Sequence, residues 1–134
     1  MIMASALICS YSFAGSPPAV VENAFKAKFP SATKVVWEKE GANKWEVEFM
    51  HQGSKTSAEY TEDGTWLITE SEISISDLPS NVTAAVKAKY PKWVIIKAEK
   101  AESLKHGLTY EVDLKKGLDR MDAEFKEDGT YVID

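Results

Sequence analysis

The sequence predicts an α+β protein made of two tandem copies of one unit, each a single helix packed on an antiparallel sheet of about four strands. Three observations carry this: collinear blocks of self-similarity, a helical apolar period near the start of each copy, and a period of two afterwards. Pro18 to Pro30 matches Pro79 to Pro91 at an offset of 61, with seven identities in thirteen positions. Ala58 to Ile68 matches Ala123 to Ile133 at an offset of 65, with seven in eleven, and Trp45-Glu-Val-Glu-Phe49 matches Tyr110-Glu-Val-Asp-Leu114 at the same offset. Self-similarity at a fixed period marks repeated supersecondary units. The offset grows by four between the first and second blocks. The extra residues are expected in the turn around Ser103 to Gly107, where added length costs little closure entropy.

Each copy opens with a helix. Val21, Ala24, Phe25 and Phe29 fall on one helical face, as do Val82, Ala85, Val86 and Tyr90. Lys26, Lys28, Lys87 and Lys89 lie mostly off that face, near the negative end of the helix dipole. Pro18 and Pro79 suit a first turn, where a missing N–H is harmless, and Pro30 and Pro91 cannot continue a helix. Strands follow: Trp45, Val47 and Phe49 alternate with Lys44, Glu46 and Glu48, and Tyr110, Val112 and Leu114 alternate with Thr109, Glu111 and Asp113. Asp63-Gly64 and Asp128-Gly129 are expected as two-residue hairpin turns with positive φ. Glu70 to Asp77 joins the copies.

The first 21 residues carry no charged side chain, and the apolar run from Ile2 ends in Ser12-Phe13-Ala14. Small residues at these positions fit a signal-peptidase site, so residues 1–14 are read as a signal peptide, 15–72 as the first copy and 73–134 as the second. An apolar run of about 12 residues is too short for a bilayer core that needs roughly 20, so no membrane span is expected. The expected location is periplasmic or extracellular. Cys9 is the only cysteine, and it follows Ile8 rather than the small residue that a lipoprotein signal requires. The mature chain then has no disulfide and no thiol ligand or nucleophile. A net charge of −5, with lysines interspersed among acids, offers no basic stripe and argues against nucleic acid as a partner.

Chemistry-bearing patterns are sparse. Zinc-hydrolase motifs, phosphate loops and Gly-x-Ser-x-Gly elbows are absent, so neither an enzyme nor a cofactor is expected. His51 and His106 occupy non-equivalent positions without metal-ligand spacing and read as a strand-end residue and a loop residue. Glu46, Glu48 and Glu59, matched by Glu111, Asp113 and Glu124, place carboxylates on adjacent strands. Alternation assigns them to a solvated sheet face, while a metal ion or small ligand sequestered there is the alternative. Trp45 with Tyr110 and Trp66 with Tyr131 are expected to fill the helix-facing core. Trp93, directly after Pro91-Lys92 and without an aromatic counterpart, is the candidate anchor at a partner surface, together with Lys105 and His106 in the variable hairpin.

Leu78-Pro79 with Val82, Val86 and Tyr90-Pro91, then Tyr110-Glu111-Val112 and Glu127-Asp128-Gly129, with their first-copy counterparts, resemble the PepSY-like proteins of secreted bacterial origin. That family is similar in fold to the β-lactamase-inhibitor protein. The resemblance covers Pro17 to Asp134 and implies a periplasmic or extracellular module that binds a protein or peptide, with inhibition of a peptidase or other enzyme suggested for the wider family. It implies no catalytic residue. The chain departs from the disulfide-bearing inhibitor in having no cysteine after Cys9, which argues against transfer of β-lactamase inhibition.

Overall fold

A computed structural model describes residues 15–133; the expected signal peptide therefore lies outside the described residues. The elements run α1 (Ala19–Lys28), β1 (Thr33–Glu40), β2 (Lys44–His51), β3 (Ser54–Thr61), β4 (Trp66–Ile73), a 3-10 turn (Ile75–Asp77), α2 (Ser80–Lys89), β5 (Val94–Ser103), β6 (Gly107–Lys116) and β7 (Asp119–Phe125). All seven strands belong to one antiparallel sheet in the order β1-β2-β3-β4-β5-β6-β7.

This corrects the expected architecture of two tandem helix-plus-four-strand repeats. Four strands follow α1, but three follow α2. After the Asp128-Gly129 turn, Tyr131 makes a single isolated bridge to Phe125, and the Val132 N–H donates to the Glu124 carbonyl at 2.9 Å. The matching stretch in the first half grows into the eight residues of β4, which takes up Glu70 to Ile73, half of the expected linker. Local resemblance set the turn in both places. A strand also needs a run of paired residues, and Tyr131 has one.

Contacts divide the described chain into two compact units, one of residues 15–71 with Ser103–Lys105, the other of Glu72–Glu102 with residues 106–133. In the first, Val21, Phe25 and Phe29 of α1 pack on Trp45, Val47 and Phe49 of β2 and on Ala58 and Tyr60 of β3. The Phe25 ring meets Trp37 at 5.3 Å and Phe49 at 5.0 Å, both edge-on, the arrangement that the aromatic quadrupole favours. In the second, Leu78, Val82 and Val86 pack on Ala98, on Tyr110, Val112 and Leu114, and on Ala123 and Phe125. The helix faces read from spacing are thus the buried ones: Val21 and Val82 are fully enclosed, and Phe25 and Val86 nearly so.

Both helices lack a side-chain cap and begin at a proline whose carbonyl accepts the first bonds, Pro18 from Val21 at 3.0 Å and Pro79 from Val82 at 2.9 Å. Both last turns set a lysine over an aromatic ring, Lys28 over Trp66 at 4.0 Å and Lys89 over Tyr131 at 4.3 Å. Trp66 is half-buried and packs against the core cluster as expected, whereas Tyr131 is exposed, and each carries a lysine over its ring. The two Asp-Gly turns differ from the expected two-residue form. Only the glycine has positive φ, and the chain closes through Gly64 N–H to Thr61 O and Thr61 N–H to Thr65 O, with Gly129, Lys126 and Thr130 repeating the pattern. That is a type I turn followed by a glycine bulge.

The four-residue difference is not in the turn. Three residues, 41–43 and 104–106, separate the strands of either hairpin, while β1 and β2 have eight residues and β5 and β6 have ten. Adding two residues to each strand preserves the side-chain alternation, because the pleat repeats every two. At the edge of the sheet, β1 carries a register shift between Thr33 and Val36, and Lys34 has φ +53°.

Candidate functional site

The most unusual chemistry among the described residues lies on the face of β1–β3 turned away from α1. Alternation dictates its composition: Trp45, Val47 and Phe49 are buried beneath the helix, so Glu46 and Glu48 point the other way. On β3, Thr56, Ala58 and Tyr60 are buried and Ser57 and Glu59 face outward. Strand register then sets Glu38 opposite Glu46 and Glu46 opposite Glu59. Like charges directly opposite one another weaken a sheet, so three glutamates in one cross-strand row act against the fold that holds them.

Glu40, one step along β1, completes the group. Single carboxylate oxygens of Glu40, Glu46 and Glu59 lie within 4.8 Å of one another, all three residues half-buried. The Lys44 ammonium stands 3.5 Å from Glu59 and 3.8 Å from Glu40. Glu40 Oε2 is buried and makes no hydrogen bond. Burial, reinforced by Glu40, Glu59, Glu48 and Glu38, pushes the Glu46 carboxyl up to about 7. Glu59 is also raised, first by burial and then by Glu40, with Lys44 pulling the other way. Because an ammonium already sits among the carboxylates, a divalent cation would enter against its repulsion, and the arrangement suits a proton better than a metal.

Of this group, Glu46, Glu48 and Glu59 were legible from alternation, but Glu38 and Glu40 were not. The signal was present in Glu38-Lys39-Glu40, an alternating acidic pair just before a glycine turn, which a hairpin folds back onto Glu46. In the other unit the matched acids are differently accommodated. Glu111 stands opposite Glu124 and Asp113 opposite Asp122. The Thr109 hydroxyl bonds the buried Glu124 carboxylate, and Lys97 pairs with Glu99. Asp113 is raised by burial, with Lys97 acting against Glu99 and Asp122.

The three expected contact residues do not converge. Trp93 lies just before β5, half-buried against the core cluster, with its N–H bonded to Tyr90 O at 3.1 Å and the Lys116 ammonium 4.9 Å from its ring centre. Exposed Lys105 and half-buried His106 lie in the turn after β5, at the opposite end of a strand of ten residues that rises about 3.3 Å per residue. His51 ends β2 as expected, but its ring packs edge-on to Phe29 at 5.2 Å. Where the β7 turn reaches α2, Pro79, Ser80, Asn81, Glu127 and Asp128 line an open depression with no nucleophile–base pair. No helix among the described residues is long and apolar enough to cross a membrane.

In each unit one helix packs on one face of its strands, and the outward face of β1–β3 carries the glutamate cluster. The chain belongs to the family described as "Putative beta-lactamase-inhibitor-like, PepSY-like", whose model matches residues 43–132. Among solved structures, a BLIP-like protein from Bacteroides fragilis is 25% identical with a TM-score of 0.78, covering 89% of this chain and 85% of that one. A protein from Bacteroides eggerthii titled "putative periplasmic" has the same fold at 19% identity and a TM-score of 0.79, covering 89% and 88%. A search of curated proteins gives no match.

Proposed function

We propose that this chain is an exported, non-catalytic binding module of the periplasm or extracellular space that recognises a protein or peptide, with inhibition of a peptidase or other enzyme as the activity to seek. Family membership is the observation that carries this reading. It is supported by the periplasmic description of one neighbour of the same fold and by an apolar, charge-free start with a small-residue cleavage site after Ala14. The contact region proposed is the longer β5–β6 hairpin, with Lys105 and His106 at its turn and Trp93 at its base. A partner touching both ends would run along β5, a length compatible with an ordinary protein interface of roughly 800 Å² per side.

The test is affinity capture from cell-envelope extract together with inhibition assays over a peptidase panel. One partner retained by the native protein, and released when Lys105-His106 is replaced by Gly-Ser in a normally folded variant, is the expected result. Repeated capture of nothing, with no enzyme inhibited, would remove the reading. Mass spectrometry of protein from its native host should find Gly15 at the N-terminus; an intact Met1 on cytoplasmic protein would overturn export.

A further inference from the structure

We propose that Glu46 and Glu59, crowded against the Glu40 carboxylate, hold a proton in common, which makes the charge of the outward face of β1–β3 a pH-responsive property of the fold. The geometry demands some compensation. One oxygen from each of three carboxylates lies within 4.8 Å of the others, and the Lys44 ammonium stands 3.5 Å from Glu59 and 3.8 Å from Glu40. Fully ionised, the four groups sum to a charge of −2, and with one proton held they sum to −1. Carboxylates crowded at such distances cannot all ionise cheaply, so one proton is retained to a higher pH.

Glu40 Oε2 is buried and without a hydrogen bond, with the Lys44 ammonium 3.8 Å away. A carboxylic acid O–H from Glu46 or Glu59 would give this oxygen the hydrogen bond that the longer Lys44 contact does not supply. β1 presents Glu38 and Glu40 to this face, β2 presents Lys44, Glu46 and Glu48, and β3 presents Ser57, Glu59 and Thr61, whose hydroxyl is engaged with Asp63. Beyond them, register puts Ile68 and Glu70 of β4 on the same side. Lys39 is engaged with Glu62 at 3.5 Å and stands over the Trp45 ring. The upward displacement of both Glu46 and Glu59 agrees with this arrangement. The inference does not depend on which surface of the module meets a partner.

The experiment is a carbon-detected NMR titration of the glutamate carboxyls in the full chain, uniformly labelled and in EDTA so that no adventitious cation takes part. Glu46 should titrate with a midpoint near 7, against about 4.3 for an ordinary glutamate. Glu40→Gln and Glu59→Gln should each lower that midpoint, because each removes a neighbouring negative charge while keeping a side chain of the same shape. Lys44→Met should raise the Glu59 midpoint further. A Glu46 midpoint between about 4 and 5 in the unaltered protein would overturn the proposal. So would an elevated midpoint that neither glutamine variant moves, since burial alone would then account for it.

Discussion

Gly129 approaches the first turn of α2 so closely that a Cβ in its place would lie 2.7 Å from the carbonyl oxygen of Asn81. Gly64 stands in the same relation to α1, its Cβ position 3.1 Å from Val20 O and 3.0 Å from Val20 Cγ2. Each glycine also has φ near +90°, where a side chain strains the backbone. Gly129→Ala should therefore cost on the order of 3 kcal/mol, and Gly64→Ala somewhat less, because part of its clash is with a movable methyl group. Urea denaturation of both variants checks the magnitude and the order.

Phe25→Ala should cost about 3 to 5 kcal/mol, since it removes a ring packed against Phe29, Trp37 and Phe49 and leaves a cavity beneath α1. The smaller Val86→Ala should cost less, in proportion to the volume lost under α2. A loss below about 1 kcal/mol for Phe25→Ala, as for surface changes, would mean that α1 does not pack as described.

The Asp-Gly turns and the glutamate face respond to pH with opposite signs. Asp63 and Asp128 are held below the usual carboxylate range by hydrogen bonds, Asp63 first through Thr61 and Asp128 through Thr130. Their contribution is present above the ordinary carboxylate pKa and lost as pH falls through the lowered one. Asp128→Asn should flatten the acid limb of the stability profile, measured by urea denaturation between about pH 2 and 5.

Glu46 acts the other way. Its raised value means that the folded chain binds more protons than the unfolded one between 4.5 and about 7, so stability falls as pH rises through that window. At a half-exposed site, solvent screening reduces the effect to about 1 kcal/mol. Glu46→Gln should remove it, giving a variant whose urea midpoint changes less than that of the native protein between pH 5 and 8.

The Lys28–Trp66 contact should contribute about 0.5 to 1 kcal/mol, as cation–π pairs do when partly exposed. A double-mutant cycle of Lys28→Met with Trp66→Leu measures the coupling. The same cycle on Lys89 and Tyr131 should return a value of similar size.

Local pattern made much of this fold legible. Val21, Phe25, Val82 and Val86 could be assigned to buried helix faces from spacing alone, and Trp45, Val47 and Phe49 to the covered side of a strand from alternation. What failed was the inference that similar local sequence forms equal numbers of strands. Trp66 and Tyr131 follow the same turn, yet one begins β4 and the other makes a lone bridge, because strand pairing depends on residues far away in sequence. The glutamate cluster escaped for a related reason. Alternation gives the face of Glu46, but only the register of β1 against β2 says that Glu38 lies opposite it and Glu40 one step beyond. Trp93 shows what sequence leaves open: the lack of a counterpart singles it out, but its half-burial against the core and the lysine near its ring follow only from packing.

The bulge in β1 has a bearing on how the molecule behaves at high concentration. A free strand edge is a template on which another chain can add its own backbone, the first step toward fibrils. Between Thr33 and Val36 the ladder is broken, and Lys34 turns through a left-handed conformation, so an incoming strand would meet a distorted row of donors and acceptors beside a lysine. Val35 and Val36, exposed at this edge, fall within the distorted stretch, the arrangement by which edge strands resist pairing with another chain.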